Sequence, residues 1–246
     1  MKIEVIASGS SGNCYKISNE DTTLLIECGI PYKKIQQALN FKTTDIDGVL
    51  VSHEHGDHSK ACKDLIKAGV NLYMTKGTKE ALKLDSHRVK NFEESNDKTY
   101  MWFEESNDKT YRWFEIGSLK IMPFKSIHDA KEPVNFYISN KRTAERLLFI
   151  TDTMYVEGRF NIIDYLMLEV NYVRETINNN SKIDPVLRNR IKENHMSLET
   201  AIDFLNKCNL SRLKKIYVLH LSDANSDAKV IKERLKELTG VAVEIC

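Results

Sequence analysis

Apolar and polar residues alternate from the first residues of the chain. In KIEVIAS, Ile3, Val5 and Ala7 share one face and Ile6 takes the other, a period of two that predicts a half-buried strand. The glycine-containing SGSSGNC predicts a turn, after which CYKISN and TTLLIECG resume as strands. The spacing then changes. In PYKKIQQALN, Ile35, Ala38 and Leu39 fall on one helical face with a proline near the start, where its missing N–H is not needed. IDGVLVSH predicts a short buried strand, and SKACKDLIKAG a helix with Ala61, Leu65, Ile66 and Ala68 at helical spacing.

Further along, LKIMPFKSIHD, NFYISN, RLLFITD and DYLMLEV are apolar runs that each end near a polar residue. NYVRETINNNSKID has no apolar period and is expected to be a loop. Two helices, SLETAIDFLNKC and AKVIKERLKEL, close the chain with the strand KKIYVLHLS between them. No linker rich in Gly, Pro or Ser interrupts this order, so one domain over residues 1–246 is expected. FEESNDKTY at Phe92–Tyr100 recurs at Phe103–Tyr111, with Trp102 and Trp113 in register. Two copies are too few for a repeat architecture. A duplicated surface hairpin at about 92–114, structural in role, is the expectation.

A chain of 246 residues can bury one sizeable core. With 29% charged and 41% hydrophobic residues it has the composition of a soluble globular protein. No basic head precedes a long apolar run, and no stretch approaches the roughly 18 apolar residues needed to span a bilayer. A membrane partner and a secretory leader are therefore not expected. Five cysteines without a CxxC pair read as scattered thiols of a reducing compartment, which suggests the cytoplasm. A net charge of +1 gives no global attraction to nucleic acid, so a nucleic-acid enzyme of this composition needs a local basic face.

VSHEHGDHSK, Val51 to Lys60, carries the chemistry. Imidazole nitrogen and carboxylate oxygen suit zinc, manganese or iron, and the lack of cysteine disfavours a closed structural zinc site. A strand end with a tight turn at Gly56 can aim His53 and His55 at one ion, leaving Asp57 and His58 to reach a second. Two ions about 3.5–4 Å apart would activate water and steady a leaving oxygen. Six residues cannot complete two sites. Of the remaining histidines, His128, His195 and His220 lie at predicted element boundaries, and Asp152 ends LLFITD. His87, in polar LDSHRVK, reads as a surface residue. A lone histidine at a strand end is usually a hydrogen-bonded structural residue; beside HxHxDH, the ligand reading outweighs that one.

IASGSSGNCY, LLIECG, VSHEHGDH, PFKSIHDAKEPVNF, LEVN, RIKENHMS and LHLSDAN together resemble the motifs of the metallo-β-lactamase-fold superfamily. They look most like its YycJ-type branch, bacterial and phage proteins regarded as DNA exonucleases, and similar motifs occur in tRNA 3′-processing endonucleases. The resemblance implies an α/β fold, a four-layer αββα sandwich, and two divalent ions, Zn²⁺ or Mn²⁺. His53, His55 and His128 would hold one ion; Asp57, His58 and His220 the other; Asp152 would bridge them. The implied reaction is phosphodiester hydrolysis through a metal-bridging hydroxide, which Asp57 also bonds. His195, oriented by Glu169, would donate a proton to the leaving oxygen. Glu54, the middle residue of HxH, should point away from the ions. LLIECG departs from the usual Asp-Ala at Glu27 and Cys28, and NHMS from the usual Gly-His-Leu-Ser; neither departure is expected to touch a ligand. Only 42 residues separate Asp152 from His195, too few for a β-CASP cap, and there is no long Gly/Pro-rich tRNA-clamping arm.

Three features favour a phosphodiester substrate: Asp57 after HxHx, a histidine at 195 with no task in amide or thioester hydrolysis, and basic residues near the late motifs. Arg188, Arg190 and Lys192 stand just before His195, and Arg212, Lys214 and Lys215 follow. Most read as solvated helix faces; Arg190 is the candidate substrate contact. The SGSSGN turn, through Ser11 and Asn13, could present N–H groups to a phosphate, with an ordinary tight turn as the competing reading. A DNA exonuclease is expected, with DNA favoured over RNA. The alternatives are a cyclic-nucleotide phosphodiesterase, an RNA-processing nuclease, or a nucleic-acid-binding recombination module with structural metals. That last class fits poorly with a ligand set that keeps open positions.

Overall fold

The computed structural model describes residues 1–95 and 110–246. Most of the duplicated segment thus lies outside the described residues. Glu94 and Ser95 of its first copy pair antiparallel with Tyr111 and Thr110 of its second. The chain contacts divide into two compact units.

The first unit comprises Met1–Ser95, Thr110–Lys125 and Ala130–Ala144. Its elements are β1 (Lys2–Ala7), β2 (Cys14–Ser18), β3 (Thr23–Ile26), α1 (Tyr32–Ala38), β4 (Gly48–Leu50), α2 (Gly56–Ser59), α3 (Cys62–Lys67), β5 (Leu72–Met74), α4 (Lys76–Ala81) and β6 (Val89–Asn91). β7 (Glu94–Ser95), β8 (Thr110–Tyr111), β9 (Phe114–Ile116), β10 (Leu119–Lys125) and β11 (Val134–Asn140) follow. β1 to β6 form a sheet in chain order, antiparallel through β3 and parallel beyond it. Leu25, Val49, Leu72 and Met74 from this sheet, with Val51 just after β4, pack with Ile35 and Leu39 and with Ala61, Cys62 and Leu65 in one core.

Of the helix expected over SKACKDLIKAG only Cys62–Lys67 forms, as α3, separated from α2 before it. The Ala61 N–H donates to the Cys28 carbonyl at 2.9 Å, a tertiary partner that replaces a helical one and ends the ladder there.

Cys14, Cys28 and Cys62 are buried in this unit, with the sulfurs of Cys28 and Cys62 3.5 Å apart. Burial raises the Cys14 thiol, while the Cys62 contact and burial raise Cys28. Cys208 and Cys246 are half-buried, and burial pushes Cys246 up to about 12. Because the thiolate is the reactive form, an aromatic disulfide reagent should label only Cys208 and Cys246 in the native protein, slowly, and all five cysteines in denaturant. Rapid native labelling of Cys28 or Cys62, located by peptide mass spectrometry, would contradict this packing.

The second unit comprises Ser126–Asp129 and Glu145–Cys246 among the described residues. It contains β12 (Arg146–Ile150), β13 (Tyr165–Glu169), α5 (Arg174–Asn179), α6 (Pro185–Asn194), α7 (Leu198–Lys207), β14 (Lys215–Leu219), α8 (Ala228–Thr239) and β15 (Ala242–Ile245). β12, β13, β14 and β15 pair in parallel, in that order. RLLFI, YLMLE and KIYVL are each buried after their first residue, as the two covered faces of a parallel sheet require.

The expected loop NYVRETINNNSKID carries a short helix, α5, and is followed directly by α6. α5 has one buried residue, Ile177, and α6 one, Asn194, so neither shows an apolar period. The legible signal was the Asp184-Pro185 pair: Asp184 accepts from Val186 and Leu187 N–H as a cap, with proline at the first helical position. Among the described residues no helix is long and apolar enough to cross a membrane.

Candidate functional site

In the first unit, β4 leads through Val51 into Ser52 and His53, and α2 places Asp57 and His58 within one helical turn. His53 and His58 are buried; His55 and Asp57 are partly so. His53 Nδ1 lies 2.8 Å from Ser52 Oγ, and its Nε2 lies 3.1 Å from His55 Nδ1. The His53 and His58 rings have centroids 4.2 Å apart. Glu54 Oε1 accepts the Lys131 N–H at 2.7 Å, which turns that side chain to a structural task.

Asn13 organises the far side of the cluster. Its Oδ1 accepts from the Gly9 N–H at 3.0 Å and the Tyr15 hydroxyl at 2.9 Å, so Nδ2 is the donor. That Nδ2 reaches both the Asp57 carbonyl and His58 Nε2 at 3.2 Å. A donor at Nε2 marks it as the nitrogen with the lone pair, the one a bound ion would take over from Asn13, and leaves the His58 Nδ1–H facing Glu27 Oε2 at 3.6 Å. Burial raises the Glu27 carboxyl, against the pull of His58 and Ser52.

In the second unit the parallel register brings strand ends level. Ile150 pairs with Leu168 and Glu169 with Leu219, so Glu169, the last residue of β13, and Asp152 and His220, just past β12 and β14, stand at the carboxyl ends of three adjacent strands. Crevices at that end of parallel sheets are where ligands bind. Ligand atoms of Asp152, Glu169, His195 and His220 all lie within 4.8 Å of one another. Asp152 and His220 have φ of 33° and 53°, as Glu27 at the end of β3 has 64°. For residues with side chains this left-handed backbone costs on the order of 1–3 kcal/mol, strain of the sort found at functional sites.

Glu169 is fully buried and takes three donors. The Thr153 N–H reaches its Oε2 at 3.0 Å, and His195 Nδ1 and His220 Nδ1 reach Oε1 at 2.6 and 3.1 Å. Burial disfavours the Glu169 carboxylate, but His195 outweighs it and holds the group below its ordinary value. Burial likewise opposes the His195 imidazolium, yet Glu169 lifts it above the ordinary histidine value.

His128 Nδ1 lies 3.0 Å from the Asn194 carbonyl. A carbonyl only accepts, so Nδ1 carries the proton. Burial lowers the His128 pKa and keeps the ring neutral, so Nε2 bears a lone pair. That Nε2 faces Asp152 Oδ2 at 3.6 Å, while Asp152 Oδ1 lies 3.1 Å from His220 Nδ1. Two acceptors turned toward one another are reconciled by a cation between them. Neutral imidazoles with their second nitrogens already bonded, together with carboxylates, make a donor set for divalent metal.

The expected residues therefore fall into two groups. His53, His55, Asp57 and His58 gather in the first unit, with Asn13 against them; His128, Asp152, Glu169, His195 and His220 gather in the second. Ser11 is exposed, Asn13 is buried, and His87 is exposed. Arg190 is exposed on α6 and bonds Asp129, with Nη2 3.0 Å from Oδ2. Two expectations need correction. Glu27 faces His58 and Asn194 bonds His128, so both departures from the family pattern do touch residues taken as ligands. Glu27 is 31 residues from His58 and Asn194 66 from His128, separations that spacing rules do not reach.

A family model described as a beta-lactamase superfamily domain matches residues 22–220. The exodeoxyribonuclease WalJ of Streptococcus pneumoniae is 33% identical over 242 residues, covering 92% of this chain and 83% of its own. The exodeoxyribonuclease YycJ of Bacillus anthracis is 26% identical, with 99% and 88% covered. Among solved structures, the metallo-beta-lactamase fold protein YhfI from Bacillus subtilis matches with a TM-score of 0.69 at 16% identity, over 99% of this chain and 95% of that one. The matched span runs from the start of β3 to His220 and takes in both donor clusters, so the chain belongs to the beta-lactamase superfamily and has the metallo-β-lactamase fold.

Proposed function

We propose that this protein is a metal-dependent exonuclease that hydrolyses phosphodiester bonds of DNA. The observation that carries the reading is the His195–Glu169 pair: a half-buried imidazole whose Nδ1 lies 2.6 Å from a fully buried carboxylate. Such a carboxylate fixes the tautomer and raises the proton affinity of the ring, which equips His195 to protonate a departing alkoxide. Lactam and thioester hydrolysis have less need of that donor. The relatives named exodeoxyribonuclease, matched along most of their length, support the same reading.

In this proposal His53, His55 and His128 would hold one ion, Asp57, His58 and His220 would hold a second, and Asp152 would serve both; zinc and manganese both suit the donors. Bound divalent ions supply Lewis-acid activation of water and neutralise charge at phosphorus. The chain does the rest. Asp57 orients the attacking water, Glu169 holds His195 toward the leaving oxygen, and Arg190 and Ser11 contact phosphate. Asn13 serves the substrate through the loop conformation it braces. DNA is the partner, and the free thiols suit a cytoplasmic location.

The test is end-labelled linear duplex DNA with Mn²⁺ or Zn²⁺, run beside cyclic mononucleotides, with His58→Ala as the control for contaminating nuclease. Mononucleotide release from DNA that disappears in the variant is the expected result. The net charge of +1 favours a small phosphodiester as the second reading. Opened cyclic nucleotides beside intact DNA would establish it and overturn the first.

A further inference from the structure

Asn194 precedes His195 at the C-terminal end of α6 and is the one buried residue of that helix. The helix is held within its unit by polar contacts: Arg188 Nη2 to the Asn180 carbonyl at 2.7 Å, Lys192 Nζ to Asn178 Oδ1 at 2.7 Å, and Arg190 to Asp129. With so little apolar burial, hydrogen-bond geometry sets where its C-terminal end, and therefore His195, comes to rest.

Asn194 uses every polar group on that end. Its Nδ2 donates to the Arg190 carbonyl at 3.0 Å, which locks the side chain to its own helix. Its Oδ1 accepts the Asp129 N–H at 2.7 Å, and its main-chain carbonyl takes the His128 Nδ1–H at 3.0 Å. The His128 and His195 rings lie with centroids 5.4 Å apart. One residue thus bonds the segment that carries His128 at two points and is covalently joined to His195.

We propose that Asn194 is a positioning residue: its amide clasps the His128 segment so that its carbonyl can set the His128 tautomer, in register with His195. The inference rests on the assignment of His128 as a metal ligand and His195 as the proton donor. Glycine, the residue common at this place in the resembling family, would keep the carbonyl and lose the clasp. Removing a group that orients a ligating histidine typically weakens metal affinity about 10–100-fold.

The experiment compares the full chain with Asn194→Ala and Asn194→Asp. Zinc affinity is read by competition with a chromophoric chelator. The His128 Nδ1–H is read without metal, by NMR of histidine-labelled protein. N194A should bind zinc about tenfold more weakly or worse, and its Nδ1 proton should exchange too fast to observe. N194D keeps the acceptor for the Asp129 N–H but sets a carboxylate against the Arg190 carbonyl, so it should fall between the parent and N194A, and unchanged urea midpoints distinguish a lost clasp from general misfolding. Parental zinc affinity and a persistent Nδ1 proton in N194A would overturn the proposal, as would losses in N194A that only follow a collapsed urea midpoint. The proton signal needs neither substrate nor metal. Undigested DNA with the parent chain would instead overturn the proposed function and leave this readout intact.

Discussion

Replacing His195 with alanine is expected to lower kcat on DNA by about 10²–10⁴-fold, the usual contribution of a positioned general acid, with metal content unchanged. The scissile bond in DNA expels an alkoxide, a poor leaving group unless it is protonated as it departs. The His195 ring is placed for that task by Glu169, which bonds Nδ1 at 2.6 Å and leaves the opposite edge of the ring for substrate. A p-nitrophenyl phosphodiester expels a stabilised phenolate and needs no acid, so the same variant should lose little on it. Steady-state kinetics on both substrates, with metal measured by atomic emission, makes the comparison. Equal losses on the two would mean that His195 supports the site in some other way, and no loss on DNA would end the general-acid reading. Glu169→Gln should behave differently. Glu169 also bonds His220 Nδ1 and the Thr153 N–H, so this variant should lose metal affinity as well as turnover.

The second large effect lies at Gly29. An alanine there should destabilise the protein by about 3 kcal/mol or more, at or beyond the upper end of ordinary overpacking, and should cost metal binding too. A Cβ on Gly29 would stand 1.6 Å from the Asp57 carbonyl oxygen, 2.0 Å from its carbon and 2.6 Å from the His58 nitrogen. All three are backbone atoms and cannot swing aside. The same backbones are joined by hydrogen bonds from Asn13 N–H to the Asp57 carbonyl at 2.7 Å and from Cys28 N–H to the His58 carbonyl at 2.9 Å. Relief of the clash would have to pull these apart and carry Asp57 and His58 away. Gly56 is the control. It sits in the HxHxDH turn, but a Cβ there meets nothing within 4 Å and its φ is not positive, so Gly56→Ala should stay within about 0.5 kcal/mol. Urea midpoints and zinc titration of the two variants decide the matter. A Gly29→Ala chain with the parental midpoint and zinc affinity would refute this account of the packing.

That contrast shows where reading along the chain succeeds and where it stops. The turn at Gly56 is visible in the motif, yet the glycine whose small size matters is 27 positions earlier, and nothing near it announces Asp57. The parallel strands were legible because burial on both faces writes unbroken apolar runs such as RLLFI and KIYVL. α5 and α6 were not, because each buries a single residue and so carries no period of 3.6.

HEHGDH with the histidines and aspartate at later strand ends is local chemistry, and the sequence by itself determined it: nitrogen and oxygen donors, no thiolate, spaced for a divalent metal. Only the tertiary structure decided which nitrogen of each ring bears the proton. A tautomer is set by the partner of the other nitrogen, and those partners come from distant segments: Asn13 for His58, Asn194 for His128, Glu169 for His195 and His220.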